Sequence, residues 1–226
     1  MKWRQMMMKE KLFSGVMAGA YIALGAMTYL SVPNSTVGAL FFAAGIFLVF
    51  NFSNMLFTRV CPLSAATGEY GMKDMAAAWI GNGLGAGIVA TAAHFCRFEG
   101  KIAEKLAPVA EGKLADGPLS LFVMGVFCAV FVSYAVLLGK KHKSGSFAQI
   151  FYVWLLITAF VFGGYDHIVA NMYYLAAYSW AFGADWLMIC KVLFFVTAGN
   201  VAGGLLIGFL EKKYMVTEKL PGMTKM

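Results

Sequence analysis

The stretch Gly163-Gly164-Tyr165-Asp166-His167-Ile168-Val169-Ala170-Asn171-Met172 interrupts an otherwise apolar segment running from about Phe147 to Tyr178. A bilayer core of ~30 Å needs about 20 apolar residues, so the segment is long enough to cross. A full charge at the centre of a membrane helix costs roughly 2.5–3.5 kcal/mol on insertion scales. Asp166, His167 and Asn171 nevertheless gather here, beside a Gly-Gly pair that can unwind a helix. Polar groups collected at such a break mark a solute pathway through a discontinuous helix.

The rest of the chain agrees with a membrane setting. Its 226 residues are 61% hydrophobic and only 13% charged, against about 25% charge in a soluble domain. Mean hydropathy is +0.73. Six apolar segments can be marked: about 12–30, 37–58, 76–95, 118–138, 147–174 and 186–210. The fold class read from this is an all-α polytopic membrane protein, one transmembrane domain over residues 1–226 with short cytoplasmic tails. The basic amino terminus precedes an apolar stretch too long for a signal peptide, and is read as leading into an uncleaved first span.

Lysine and arginine fix the orientation. With both termini inside, the inner segments hold Lys2, Arg4, Lys9, Lys11, Arg59, Lys73, Lys140, Lys141, Lys143, Lys212, Lys213, Lys219 and Lys225, 13 of the 18 basic residues. Such a bias places the termini in the cytoplasm and the chain in the inner or plasma membrane. The net charge of +7 therefore follows topology and is no nucleic-acid signal. The four cysteines and three histidines are dispersed. Their spacing predicts no metal site, redox motif or cofactor.

The halves repeat, about 12–96 and about 118–210. The third and sixth segments carry matching glycine-rich stretches, Gly81-Asn82-Gly83-Leu84-Gly85 and Gly199-Asn200-Val201-Ala202-Gly203. The second and fifth each carry a polar interruption, the second at Asn51-Phe52-Ser53-Asn54. A unit of three spans is odd, so its second copy enters from the opposite side. The expectation is an inverted repeat whose two broken helices meet near the midplane. Asn82 and Asn200 are assigned to the carbonyls freed at the breaks, which a dry core must satisfy. Asn54 and Asp166 are given structural roles at the same breaks. Small residues four apart, such as Gly15/Gly19 and Gly81/Gly85, predict close helix packing.

The two interruptions, with an outer lysine ahead of the fourth span, resemble the formate/nitrite transporter family. Gly-Tyr-Asp-His-Ile-Val-Ala-Asn-Met is the specific match, and Leu56-Phe57-Thr58 resembles the loop in that family's second span. The resemblance implies an aquaporin-like fold, a homopentamer, and one pore per protomer for a small monovalent weak-acid anion. Formate, nitrite and hydrosulfide are the implied solutes, sometimes acetate or lactate, with proton coupling in some members. It also implies that Lys113, taken as a loop residue, draws anions into an outer vestibule. Leu56, Phe57 and Phe160 would form apolar constrictions around His167. Thr58 would offer its hydroxyl from the other broken helix. Asn171, four residues after His167, shares a helical face with it and is expected to hold the imidazole's second nitrogen. Met55 and Ala129 depart from the family pattern.

Two mechanisms stand open for His167. A neutral imidazole donates an N–H to the passing anion, or a protonated one gives up its proton so that the solute crosses as the neutral acid. Two other readings compete. A neutral-solute pore lacks its paired Asn-Pro-Ala breaks here. A membrane anchor of a redox complex would want more histidines inside the spans than His167 alone. An enzyme is not expected, because the dispersed Cys and His supply no nucleophile–base set.

Overall fold

A computed structural model describes residues 6–143 and 145–214, and every element within them is helical. In chain order these are α1 (Met8–Ser31), α2 (Ser35–Asn51), α3 (Phe57–Thr67), α4 (Met72–His94), α5 (Phe98–Ala115), α6 (Pro118–Lys141), α7 (Phe147–Phe162), α8 (Ile168–Phe182) and α9 (Trp186–Tyr214). Four of them, α1, α4, α6 and α9, are long and apolar enough to cross a membrane, while α2 and α7 are apolar but shorter.

Local chemistry sets the ends. The Glu10 carboxylate accepts from the Met7 N–H at the start of α1. α1 stops at Val32, held extended by Pro33. Asn34 then caps α2 by accepting from the Val37 N–H at 3.0 Å. Pro118 opens α6, where a missing N–H does no harm.

Each expected interruption is a real break. Between α2 and α3 the chain leaves the helix over residues 52–56, and between α7 and α8 over residues 163–167. The two breaks open with the same turn. Asn54 N–H reaches back to the Val49 carbonyl as Tyr165 N–H does to Phe160. Ser53 N–H reaches Phe50 as Gly164 N–H reaches Val161. Both turns pass through a left-handed residue, Gly164 at φ 70° and Ser53 at φ 55°. Ser53 is the one non-glycine of the described residues with positive φ. Arg59 braces that turn by donating to the Asn54 carbonyl at 3.1 Å.

Long helices from each half pair at their glycines. α1 packs on α4 and α6 on α9. A Cβ on Gly15 would meet the Gly81 Cα at 3.2 Å, and one on Gly125 the Gly199 Cα at 3.2 Å. The Gly19 position is tighter, since its Cβ would lie 2.1 Å from the Asn82 carbonyl oxygen. Bare backbones thus touch where the sequence expected small residues to serve packing. The short half-helices cross over: α3 docks on α9 from the other half, and α8 on α4.

The connection between α4 and α6 is not a loop. α5 lies over it, burying Ile102, Leu106 and Ala110 on one face. Lys105 anchors it to α1 by donating to the Tyr29 and Val32 carbonyls at 3.0 and 2.9 Å. Burial lowers the pKa of the Lys105 ammonium.

Candidate solute pathway

Asn82 and Asn200 hold the two breaks with identical bonds. Asn82 accepts from the Phe57 N–H at 2.8 Å and donates to the carbonyls of Met55 and Gly15 at 3.0 and 2.8 Å. Asn200 accepts from the Ile168 N–H at 2.9 Å and donates to the carbonyls of Asp166 and Gly125 at 2.9 and 2.8 Å. Each asparagine therefore satisfies one orphan amide and one freed carbonyl at its break, and ties the break to a neighbouring long helix through the carbonyl of Gly15 or Gly125. By this correspondence Leu56 and His167 are equivalent, each the residue immediately before its half-helix.

His167 is 1% exposed. Its backbone is extended at φ −93° and ψ 117°, so its ring folds back over the helix it caps. Nδ1 accepts from the Ala170 N–H at 3.2 Å. That contact assigns the lone pair to Nδ1 and the neutral ring's proton to Nε2. Nε2 lies 2.9 Å from the Thr58 hydroxyl oxygen, which accepts from it across the two breaks. The Phe160 ring stacks on the imidazole at a centroid distance of 5.7 Å, and Phe42 meets Phe160 edge-on at 5.8 Å.

The expectation for Asn171 needs correction. Its amide is not a partner of the imidazole, whose nitrogens meet Ala170 and Thr58, because His167 is the extended cap of the helix and its ring does not follow the helical register. Asn171 donates instead to Asp166 Oδ1 at 2.9 Å. The same oxygen accepts from the Lys113 ammonium in an ion pair. Lys113 is likewise not a loop residue. It sits in the last turn of α5 and reaches inward, so that Asp166 occupies one of its three N–H donors.

These groups border one cavity of about 290 Å³, with Lys113, Asp166 and Tyr174 on its walls and Phe160, His167 and Asn171 among the residues that close it. Leu56, Phe57 and Thr58 do not line this cavity. All three are buried. Asn54 lies at the other break, where it lines a separate space of about 620 Å³ with Lys9, Glu10 and Ser14. The Asn54 amide and the Met55 N–H both meet the Ser14 hydroxyl, at 3.4 and 3.0 Å.

Sequence reasoning missed several contributors. Tyr29 and Phe42 line the cavity with no polar signal to announce them. Tyr173 and Tyr174 are buried, whereas Trp180 and Trp186 further along the chain are exposed. Lys191, a lysine within the sixth apolar segment, donates to the carbonyls of Leu114 and Asp116. Among the described residues no cluster of His, Cys, Asp or Glu is arranged to hold a metal.

Known proteins share this fold. A solved structure described as an FNT family ion channel superposes with a TM-score of 0.78 at 26% identity, covering 90% of this chain and 89% of that one. A second, a pentameric formate channel with formate bound, gives a TM-score of 0.74 at 20% identity over 87% of this chain and 92% of its own, which speaks to the fold. An uncharacterized transporter of Bacillus subtilis (strain 168), YrhG, is 29% identical, with 90% of this chain and 84% of the relative covered. The formate channel FocA of Haemophilus influenzae is 26% identical, with 89% of this chain and 85% of the relative covered. Residues 1–212 match the family model described as formate/nitrite transporter. Paired breaks, their shared asparagine clasps and this match over nearly the whole chain lead to one conclusion: the protein belongs to the formate/nitrite transporter family.

Proposed function

We propose that the protein carries a small monovalent weak-acid anion of the formate or nitrite class, together with protons, through a pore in each protomer of a homopentamer. It lies in the inner or plasma membrane with both termini cytoplasmic. α2–α3 and α7–α8 act as the second and fifth of six spans, in two inverted three-span repeats of one transmembrane domain with an aquaporin-like plan. The carrying observation is the pairing of groups along one cavity. Lys113 stands on its wall with N–H donors to spare, and the imidazole of His167 lines the same cavity with the Phe160 ring stacked on it.

A lysine at the mouth raises the local concentration of anions. Beyond it the walls become aromatic, and a bare anion loses hydration that the imidazole of His167 helps to replace. The Nε2–H that now points to Thr58 Oγ is the one donor of the imidazole not opposed by backbone. The neutral ring offers that N–H to the anion in place of lost water, or a ring first protonated to imidazolium hands its extra proton to the anion and returns to the neutral form, so that the solute crosses as the neutral acid.

The test is flux into liposomes loaded with a pH dye. Formate, nitrite and hydrosulfide are added in turn to wild type and to His167→Asn. Rapid uptake of one solute, with the internal pH change altered in the variant, supports the reading. No flux above empty liposomes for any of the three sinks it.

A further inference from the structure

Lys113 has little to hold it in place on its own helix. The end of α5 is thinly covered, with Glu111, Gly112 and Ala115 exposed around it. Its last carbonyls have no partners within the helix, as at any helix end. Lys191 supplies them. Its ammonium donates to the Leu114 carbonyl at 2.7 Å and to the Asp116 carbonyl at 2.8 Å, on the C-terminal side of Lys113. A cation at a helix C-terminus also meets the negative end of the helix dipole.

Lys191 belongs to α9, the helix that carries Asn200. Asn200 in turn holds the backbone at Asp166 and Ile168. Both members of the Lys113–Asp166 pair are thus referenced to one continuous helix, through two side chains roughly 13 Å apart along its axis at 1.5 Å per residue. We infer that Lys191 is a positioning residue for the anion-capturing lysine: it closes the last turn of α5 and so keeps Lys113 against Asp166 at the cavity wall. The inference rests on the proposed anion pathway for its functional consequence, and on geometry alone for the placement of Lys113.

Lys191→Met removes the donors and keeps the length of the side chain, and Lys191→Arg restores the donors. Lys191→Gln is assayed beside them as a shorter donor, so that a folding defect in the methionine variant does not decide the matter. Formate uptake by proteoliposomes gives the half-saturation concentration and the maximal rate. A coupling of about 1 kcal/mol is roughly five-fold, so Lys191→Met raises half-saturation by about that factor and leaves the maximal rate within about two-fold. Lys191→Arg recovers the wild-type value, and Lys113→Met/Lys191→Met is no worse than Lys113→Met alone. Independently of transport, acylation of Lys113 by a membrane-impermeant N-hydroxysuccinimide ester, read by mass spectrometry, is faster in Lys191→Met. Unchanged half-saturation together with unchanged acylation of Lys113 overturns the inference. Absence of formate flux in wild type overturns the proposed function, and the acylation rates still decide the placement.

Discussion

Asn82 and Asn200 each make three hydrogen bonds, to equivalent backbone groups at the two breaks. Neither is exposed at all. Replacing either with leucine strands one N–H and one carbonyl of the break in the buried interior. Each stranded group costs roughly 1–3 kcal/mol. Asn82→Leu and Asn200→Leu are therefore both expected to lower the thermal midpoint of the detergent-solubilised protein strongly and by similar amounts. A large loss in one and none in the other would show that the two clasps are not energetically equivalent.

Backbone contact at the glycines gives a graded series. A methyl on Gly19 would meet the Asn82 carbonyl oxygen at 2.1 Å, and one on Gly85 the Val16 carbonyl oxygen at 2.0 Å. Neither obstacle is a side chain that can swing away, so Gly19→Ala and Gly85→Ala force α1 and α4 apart. Overpacking of this kind costs about 1–3 kcal/mol. Nothing lies within 4 Å of the same methyl on Gly87, two residues along α4 and so on the opposite face. Gly87→Ala should leave the melting curve unchanged or slightly raised. Equal effects at all three positions would argue against close packing of these helices.

Thr58→Val keeps the shape of the side chain and removes the acceptor for His167 Nε2. The ring remains anchored through Nδ1 to the Ala170 N–H. Formate uptake should fall by about ten-fold, which corresponds to roughly 1.4 kcal/mol, the upper range for one neutral hydrogen bond. Thr58→Ser, which keeps the hydroxyl, should retain most of the wild-type rate. Similar rates for valine and serine would remove Thr58 from the pathway.

Phe160 lies between Phe42 and His167, touching both rings. Phe160→Ala opens the narrow end of the cavity toward the imidazole. Uptake of a larger carboxylate such as butyrate, measured against formate, should then rise relative to wild type. The truncation also removes buried aromatic surface, at about 3–5 kcal/mol, so the melting temperature should drop in parallel. An unchanged size preference would place the constriction elsewhere.

Lys113→Met leaves Asp166 buried without its cation. Breaking one side of a buried pair costs about 3–5 kcal/mol. The companion change Asp166→Asn in the same chain should recover much of that stability without restoring capture of formate at low concentration. Recovery of both would mean that the cation serves the fold alone.

The sequence was most readable where composition and spacing carry the physics. Charge distribution, apolar length and the Gly-Gly pair placed both breaks to within a few residues, and the twin Gly-Asn stretches identified the clasps. The 97–117 region was harder. Its mixed charges read as loop, although Ile102, Leu106 and Ala110 stand at four-residue spacing on the buried face of a helix. Asn171 was misassigned because a four-residue register assumes helix on both sides of it. His167 is a cap with extended backbone, and a cap turns its side chain toward the first amides of the helix that follows. Lys191 shows a similar limit. Hydropathy ranks a lysine in a span by depth and says nothing of unpaired carbonyls that a neighbouring helix end brings close.

The crossed docking of α3 on α9 and α8 on α4 bears on how the chain is made. A ribosome releases the first half well before the second. Until α9 emerges, α3 has an open flank where Cys61 and Pro62 later meet the backbone of Gly204 and Gly208. The first half alone has no surface of its own to close that flank. Maturation must therefore wait for the last helix to be synthesised, and a nascent chain arrested after α4 should remain protease-sensitive at α3 until the remainder is supplied.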